Sequence, residues 1–391
     1  MKKNIFLRVL RRGAKEAVNL LPIRSNKVFV SSYFGRGYGD NPKYIIEELL
    51  RLDQSIHIVW LVKDIAEADG LPAAVKPVLR GSLSEAYHMA TSKVWLDNCR
   101  RIFFRKRKKQ FYIQTWHGFA LKRIEADVQE HLDSSYVQLA MKDSKAIDLI
   151  VSEADFMTGI YQNAFWYDGK VVRWGSPRND VMLDPEKMEL CADKVRRHYN
   201  LDRKDKIVLY APTFRTDHSL EPYKLDFTRV KEACQSRFGG EFKVFVRLHP
   251  NIVGKSNEIC FGEEFIVNAS YYPDMQELLA AADVVISDYS SLMFDFALSE
   301  KPCFQFATDI EDYKKDRNFY FALDRLPFSL GQDNDMLAEN ILAFDQAEYK
   351  KHIDGFFADA GMERSGKASK KCAELICGIC HGNIEKEEIL P

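Results

Sequence analysis

Phe111-Tyr112-Ile113-Gln114-Thr115-Trp116-His117-Gly118 reads as a short apolar strand that closes on an imidazole and a glycine. A brief apolar run ended by turn-forming residues suits a strand buried on both faces, as in a parallel sheet. Open α/β sheets present their chemistry beyond the C-terminal ends of their strands. His117 therefore stands where chemistry is expected, and Gly118 permits close approach of a substrate. The arrangement recurs at Val244-Phe245-Val246-Arg247-Leu248-His249-Pro250. It recurs again where Val284-Val285-Ile286 runs into Ser287-Asp288-Tyr289-Ser290-Ser291 and a helical pattern.

Working outward, strands alternate with helices on both sides of this stretch. Strands are expected at 27–32, 56–62, 94–97, 110–115, 149–152 and 171–174, and after a break at 207–210, 243–248, 265–267, 284–287 and 303–306, the last. Such alternation predicts parallel sheets covered by helices. The charged helix and polar turn at 185–205 read as a linker, since the pattern restarts after it. The expectation is an α/β chain of two Rossmann-like domains facing a cleft, 25–184 and 206–391, the second carrying the terminal helices. A length of 391 residues agrees with two domains.

Residues 1–24 read as an amphipathic helix. Phe6, Leu10, Ala14, Ala17 and Leu21 share one face, Lys2, Lys3, Arg8, Arg11, Arg12 and Lys15 supply charge, and Pro22 stops it. It is either an interfacial membrane helix or a surface helix packed on the first domain. A second basic segment runs from Arg100 to Lys109 with Phe103 and Phe104 inside it, and reads as a dock for an anionic membrane or other polyanion; the plainer alternative is a solvated loop. The net charge is only −1 and no other basic stripe supports it, so nucleic acid is not expected. Arg8, Arg11 and Arg12 break any signal-peptide core, and no apolar run approaches the roughly 20 residues of a membrane span, so a cytoplasmic protein is expected. Cys377-Gly378-Ile379-Cys380-His381 matches a haem-attachment string, but small residues on a packed helix are the plainer reading.

Three groups of side chains could carry chemistry. His117, with an ordinary pKa of about 6.5, could take a proton from an alcohol; the plainer alternative is a hydrogen-bonded core histidine. Arg247 and His249, two apart on a strand, share a face and could grip one phosphate; the alternative is a surface ion pair. Ser287, Asp288, Ser290 and Ser291 open a helix whose free amides favour an anion, or they merely cap it. Asp295 could take ribose hydroxyls or pair locally. Arg178 and Asn179, in Gly175-Ser176-Pro177-Arg178-Asn179-Asp180, and Arg215, in Tyr210-Ala211-Pro212-Thr213-Phe214-Arg215, lie in loops after strands. No acidic cluster beside these motifs suggests a metal.

In this order, QTWHG (114–118), GSPRND (175–180), LYAPTFR (209–215), RLHP (247–250) and SDYSSLMFDFALSEKP (287–302) closely resemble the CDP-glycerol glycerophosphotransferase family of teichoic acid synthesis. The segments from Ser31 to Pro42 and from Asp309 to Tyr320 look like that family too. The resemblance implies a GT-B-type fold with the nucleotide held mainly by the second domain. It implies transfer of glycerol phosphate from CDP-glycerol to a hydroxyl of a prenyl-diphosphate-linked saccharide acceptor, with release of CMP; the residues themselves call for no cofactor or metal. His117 would be the base, beside Gly118, Arg178 and Asn179 on the acceptor side. His249 would contact phosphate. Arg215, Arg247, Ser287, Asp288, Ser290, Ser291 and Asp295 would hold the donor, and Gly35, Gly37 and Gly39 would shape an acceptor-side loop. The enzyme would sit peripherally on the cytoplasmic face of the membrane. CDP-ribitol is the alternative donor. A sugar-nucleotide glycosyltransferase and a non-catalytic membrane-docked assembly subunit are the competing functions. Phe119-Ala120 and Ser176 depart from the family pattern, which bears on acceptor preference. Donor choice, primase or polymerase action, acceptor identity and oligomeric state are not legible in the sequence.

Overall fold

The computed structural model describes residues 17–68, 70–101, 105–215, 223–249, 252–254, 262–310, 318–384 and 386–389. The chain divides into two units. One comprises Met1–His117, Glu125–Asp180 and Ser365–Pro391, the other Gly118–Ile124 and Val181–Arg364.

The sheet of the first unit contains β1 (Arg24–Ser31), β2 (His57–Val62), β3 (Val75–Leu79), β4 (Ser92–Asp97), β5 (Phe111–Gln114), β6 (Leu149–Ser152) and β7 (Lys170–Arg173). Their order is β3-β2-β1-β4-β5-β6-β7, and each pairing is parallel. The inner strands are rich in Val, Ile and aromatic residues and are buried along most of their length, as helices on both faces require. Asp97 at the end of β4 is in register with Gln114 at the end of β5. That register sets Asn98 beside the Thr115–His117 loop. The order reverses between β1 and β4, the place where an open sheet leaves a crevice at its strand ends. Gly35, after β1, has φ +89°, and a Cβ there would lie 2.8 Å from the Lys63 amide nitrogen, so only glycine fits against the end of β2.

The strands of the second unit are β8 (Asp205–Tyr210), β9 (Glu241–Val246), β10 (Ile266–Asn268), β11 (Val284–Ser287), β12 (Cys303–Phe306) and β13 (Ser329–Gly331). They lie in the order β10-β9-β8-β11-β12-β13, again parallel, with the reversal between β8 and β11. β3 and β13 were not expected, and Cys303–Phe306 is not the last strand.

The domain boundaries differ from expectation in three places. The segment 185–205 is no linker: the helix Pro185–Tyr199 buries Cys191, Ala192 and Val195 within the second unit, and Lys194 pairs with Glu277 at 3.0 Å. Gly118–Ile124 joins the second unit because Phe119, Ala120 and Leu121 are buried there, Phe119 against Phe294 with ring centroids 4.6 Å apart. The chain end returns to the first unit. The helix Ala368–His381 places Cys372, Ala373, Ile376, Ile379 and Cys380 in the core built on Val28, Ile46, Trp60 and Leu96. The haem string is thus part of a packed helix, and burial pushes the Cys380 thiol up to about 12. The described cysteines are free thiols. Of the expected N-terminal helix, residues 1–16 lie outside the described residues. Val18–Leu20 form a single 3-10 turn that ends before Pro22.

Asp180, the last residue of the 175–180 motif, accepts hydrogen bonds from the amides of Ala368 at 3.1 Å and Ser369 at 2.7 Å. It caps the returning helix from across the unit. Asp180→Ala should therefore lower stability by about 1–2 kcal/mol in chemical denaturation, the usual cost of a lost cap. An unchanged midpoint would refute this assignment.

Candidate active site

The strand-end loops of the first unit converge on His117. Its Nδ1 lies 2.6 Å from the carbonyl oxygen of Asn98. A carbonyl only accepts, so Nδ1 carries the hydrogen, and in the neutral ring Nε2 is the basic nitrogen. The half-buried ring stacks on Trp116 at 4.3 Å and meets Tyr33 at 5.5 Å. Trp116 has φ 51° and Gly118 φ 135°, so the backbone on both sides of the histidine is in left-handed conformations. Burial lowers the imidazole pKa below its ordinary value. The Asn98 carbonyl and Asp40 pull it back up, while Arg178 lowers it.

Asp40 opens the helix Asp40–Leu52. Its carboxylate accepts from Tyr33 Oη at 2.9 Å, Asn98 Nδ2 at 3.0 Å, the Asn41 amide at 2.7 Å and Arg178 Nη1 at 2.5 Å. Burial raises its pKa, but Arg178 and Asn98 outweigh that and hold it below the usual carboxylate value. Arg178 also donates to the backbone oxygen of His117 at 2.8 Å. Asn41 accepts from Ser176 Oγ and the Arg178 amide, and donates to the Trp116 carbonyl at 3.1 Å. The Gly-rich segment, 114–118 and 175–180 are thus one hydrogen-bonded assembly. Arg178, expected at a substrate, is buried and bound to Asp40 and His117. Asn179 is buried in the turn that follows β7. Asp40, Asn41 and Asn98 were not among the expected site residues. Asp40-Asn41-Pro42 at a helix start was a visible signal, and so was an asparagine just beyond the strand beside β5.

In the second unit, several expected donor ligands are engaged inside the protein. Arg215 is buried, with Nη1 2.8 Å from Asp288 and Nε 2.6 Å from Asp309, and its guanidinium lies 5.0 Å from the Tyr289 ring centroid. Asp288 also accepts from the Thr213 amide and hydroxyl. Ser287 donates to the Ala211 carbonyl at 2.6 Å, and Asp295 accepts from Gln276 at 3.2 Å, the local pairing rather than an open carboxylate. Arg215, Asp288 and Ser287 lock the loops after β8 and β11 together. Arg247 lies just past β9, half-buried, and donates to the Tyr272 carbonyl. His249 is exposed and stacks on Phe214 at 5.6 Å. Ser290 and Ser291 are half-exposed at the start of the helix Leu292–Ala297, and Ser291 makes no side-chain capping bond to it. Ser290 and Ser291 follow β11, at the β8/β11 reversal, and Arg247 and His249 follow β9, the next strand beyond β8.

The basic segment is largely internal. Arg100 pairs with Glu125 at 2.8 Å and Asp143 at 3.6 Å. Arg101 pairs with Asp97 and Lys106 with Asp148, while Arg107 donates to the carbonyls of Asn19, Leu21 and Ala90. Arg105, Lys108 and Lys109 are exposed, and Phe103 and Phe104 lie outside the described residues. Among the described residues, no helix is long and apolar enough to cross a membrane, and no group of three or more His, Cys, Asp or Glu is placed to hold a metal ion.

The chain belongs to the CDP-glycerol:poly(glycerophosphate) glycerophosphotransferase family, whose sequence profile matches residues 14–378. It is 30% identical over 405 residues to the teichoic acid poly(glycerol phosphate) polymerase of Staphylococcus epidermidis, covering 98% of this chain and 55% of that protein. It spans only about half the length of that relative. The teichoic acid glycerol-phosphate transferase of Staphylococcus aureus is 27% identical, with 96% of this chain and 100% of that one covered. The structure of the wall teichoic acid polymerase TagF matches with a TM-score of 0.84 at 28% identity, covering 98% of this chain and 97% of that one. The fold is of GT-B type, as the sequence motifs implied.

A histidine whose pKa is lowered by folding binds fewer protons in the native than in the unfolded state below about pH 6.5. The stability contributed by the neutral His117 ring is therefore complete above that pH, and it is lost as pH falls through the folded value. The wild-type denaturation midpoint should fall more between pH 7 and pH 5 than that of His117→Gln. Equal losses would mean that folding leaves the ring's proton affinity unchanged.

Proposed function

We propose that the chain transfers glycerol phosphate from CDP-glycerol to a hydroxyl of a prenyl-linked cell-surface polymer acceptor, releasing CMP. The observation that carries this reading is His117, a strand-end imidazole with Nδ1 tied to a carbonyl, in a member of a family named for this transfer. The acceptor hydroxyl gives its proton to Nε2 of His117 as its oxygen attacks the β-phosphorus of the donor. The bond from that phosphorus to the bridging oxygen breaks, and CMP leaves with the electron pair. General-base help of this kind is worth roughly 10²–10⁴ in rate. A lowered pKa keeps the base unprotonated at neutral pH.

On this reading His249, Arg247, Ser290 and Ser291 hold the diphosphate, with charge-assisted and hydroxyl contacts opposing its developing charge. Arg215, Asp288 and Ser287 keep the shape of the loops that present them. CDP-ribitol is the second donor considered, since a teichoic acid poly(ribitol-phosphate) polymerase of Bacillus spizizenii is also 27% identical. Glycerol is favoured by the greater similarity to the glycerol-phosphate polymerase. The enzyme works at the cytoplasmic face of the membrane, held peripherally by residues 1–24 and the exposed Arg105, Lys108 and Lys109.

His117→Ala should abolish turnover of CDP-glycerol on a synthetic prenyl-linked disaccharide, followed by product mass, while calorimetry shows CDP-glycerol affinity unchanged within about twofold. Ser290→Ala combined with Ser291→Ala should instead weaken that affinity about tenfold, as lost hydroxyl contacts predict. Turnover by His117→Ala near the wild-type rate removes the assigned base. Product from UDP-sugars but not from CDP-polyols moves the chain to the glycosyltransferases.

The membrane part has its own test. Neutralising Arg105, Lys108 and Lys109 together, or removing residues 1–24, should reduce co-sedimentation with anionic vesicles at low salt, since exposed charges are screened over about 10 Å at 0.1 M. Neutralising Lys106 and Arg107 should reduce thermal stability, because both are tied to internal oxygens. Identical sedimentation of wild type and the first two variants would rule out this mode of attachment.

A further inference from the structure

We propose that Asp40 is a positioning residue for His117, its carboxylate fixing the imidazole through Asn98 and the histidine backbone through Arg178. The inference deepens the reading of His117 as the base and rests on it.

Two arms leave one carboxylate. Oδ1 accepts from Asn98 Nδ2 at 3.0 Å. The Asn98 side-chain oxygen is in turn bound by the Tyr33 amide at 2.9 Å, so that side chain cannot rotate without breaking contacts on both ends. The backbone oxygen of the same residue receives His117 Nδ1. On the other arm, Oδ2 accepts from Arg178 Nη1, and the same nitrogen donates to the His117 carbonyl oxygen. Ring and main chain of the histidine are thus held from a single point. Asp40 is itself in a strained conformation, with φ 59°. A non-glycine residue is held there only where its surroundings over-determine it. The asparagine, tyrosine and arginine contacts do so, and the Asp40 and Arg178 side chains are each only 6% exposed. Trp116, itself at φ 51°, stacks its indole on the imidazole with ring centroids 4.3 Å apart.

Among the described residues, the charged and titratable groups beside the ring or acting on it come from several loops. They are Tyr33 after β1, Asp40 at the helix start, Cys99 after β4 with Sγ 3.9 Å from Nδ1, Glu125 from the turn Glu125–His131, and Arg178 after β7. Asp40 favours the protonated ring and Arg178 opposes it. Partial removal of each must move His117 in opposite senses, which loss of packing alone would not do.

The test is a proton titration of His117 in the full chain, read by NMR of carbon-13-labelled imidazoles without substrate, in the wild type, Asp40→Asn and Arg178→Gln. Asp40→Asn should shift the titration to lower pH and Arg178→Gln to higher pH. In both, kcat should fall roughly 10- to 100-fold, as expected for a displaced reacting group, with CDP-glycerol affinity within about twofold of wild type. The acid limb of the rate profile should follow the titration. Shifts of the same sign in the two variants, or none, overturn the proposal, and either variant alone decides it if the other fails to fold. If the opposite shifts appear while His117→Ala still turns over, the coupling stands and the base assignment falls.

Discussion

Parallel strands cannot be joined by a tight turn; each pairing needs a crossover that covers one face and returns the chain to the same end of the sheet. Both sheets here are wholly parallel, so the segments following the strands are delivered to one edge of each. Winding then reverses once per sheet, at β1/β4 and β8/β11, and the loops on either side of each reversal diverge. The polar residues of interest fall in those loops or in the loop of the next strand: Tyr33 after β1, Asn98 after β4 and His117 after β5 in the first unit, Thr213 after β8, Ser290 after β11 and His249 after β9 in the second. Nothing in their local sequence would bring them together. The crossover rule does.

Loops at such edges need their own means of holding shape, and this chain uses buried charge. Asp40–Arg178, Arg100 with Glu125 and Asp143, and Arg215 with Asp288 and Asp309 each bind segments far apart in sequence. Such pairs add little to net stability compared with apolar packing, yet removing one partner costs about 3–5 kcal/mol because a buried charge is left uncompensated. Their value lies in specifying a single loop conformation. The arginines therefore look like ligands for phosphate when read along the chain, while in the fold they are struts. In the second unit the His249 imidazole is exposed, and Arg247, Ser290 and Ser291 are half-exposed.

The strands around His117, His249 and Ser290 were legible because their apolar runs are unbroken and end in turn residues. β3 was not, since Pro77 lies within Val75–Leu79, and a proline argues against a strand except at an edge, where this one lies. β13 is a mere three residues, too short to show a period. The helix Pro185–Tyr199 passed for a linker because its charged face dominates the composition, and its buried stripe is made of small residues, Cys191, Ala192 and Val195. His117 was legible as a strand-end histidine. Its orientation was not, because it depends on the Asn98 carbonyl, a main-chain atom that sequence does not distinguish. The direction in which an arginine points is likewise decided by carboxylates distant in the chain, as Asp309 is from Arg215.

The helix Ala368–His381 completes a core whose other parts are made by the first strands of the chain. On a ribosome those strands emerge early and wait. Most of the second unit is contiguous and has all its residues in hand before the helix Ala368–His381 is synthesised. The customary order, in which the N-terminal domain is finished first, is inverted: the unit that carries His117 closes last, and a nascent chain stalled short of residue 368 has an imidazole but not the finished core beneath it.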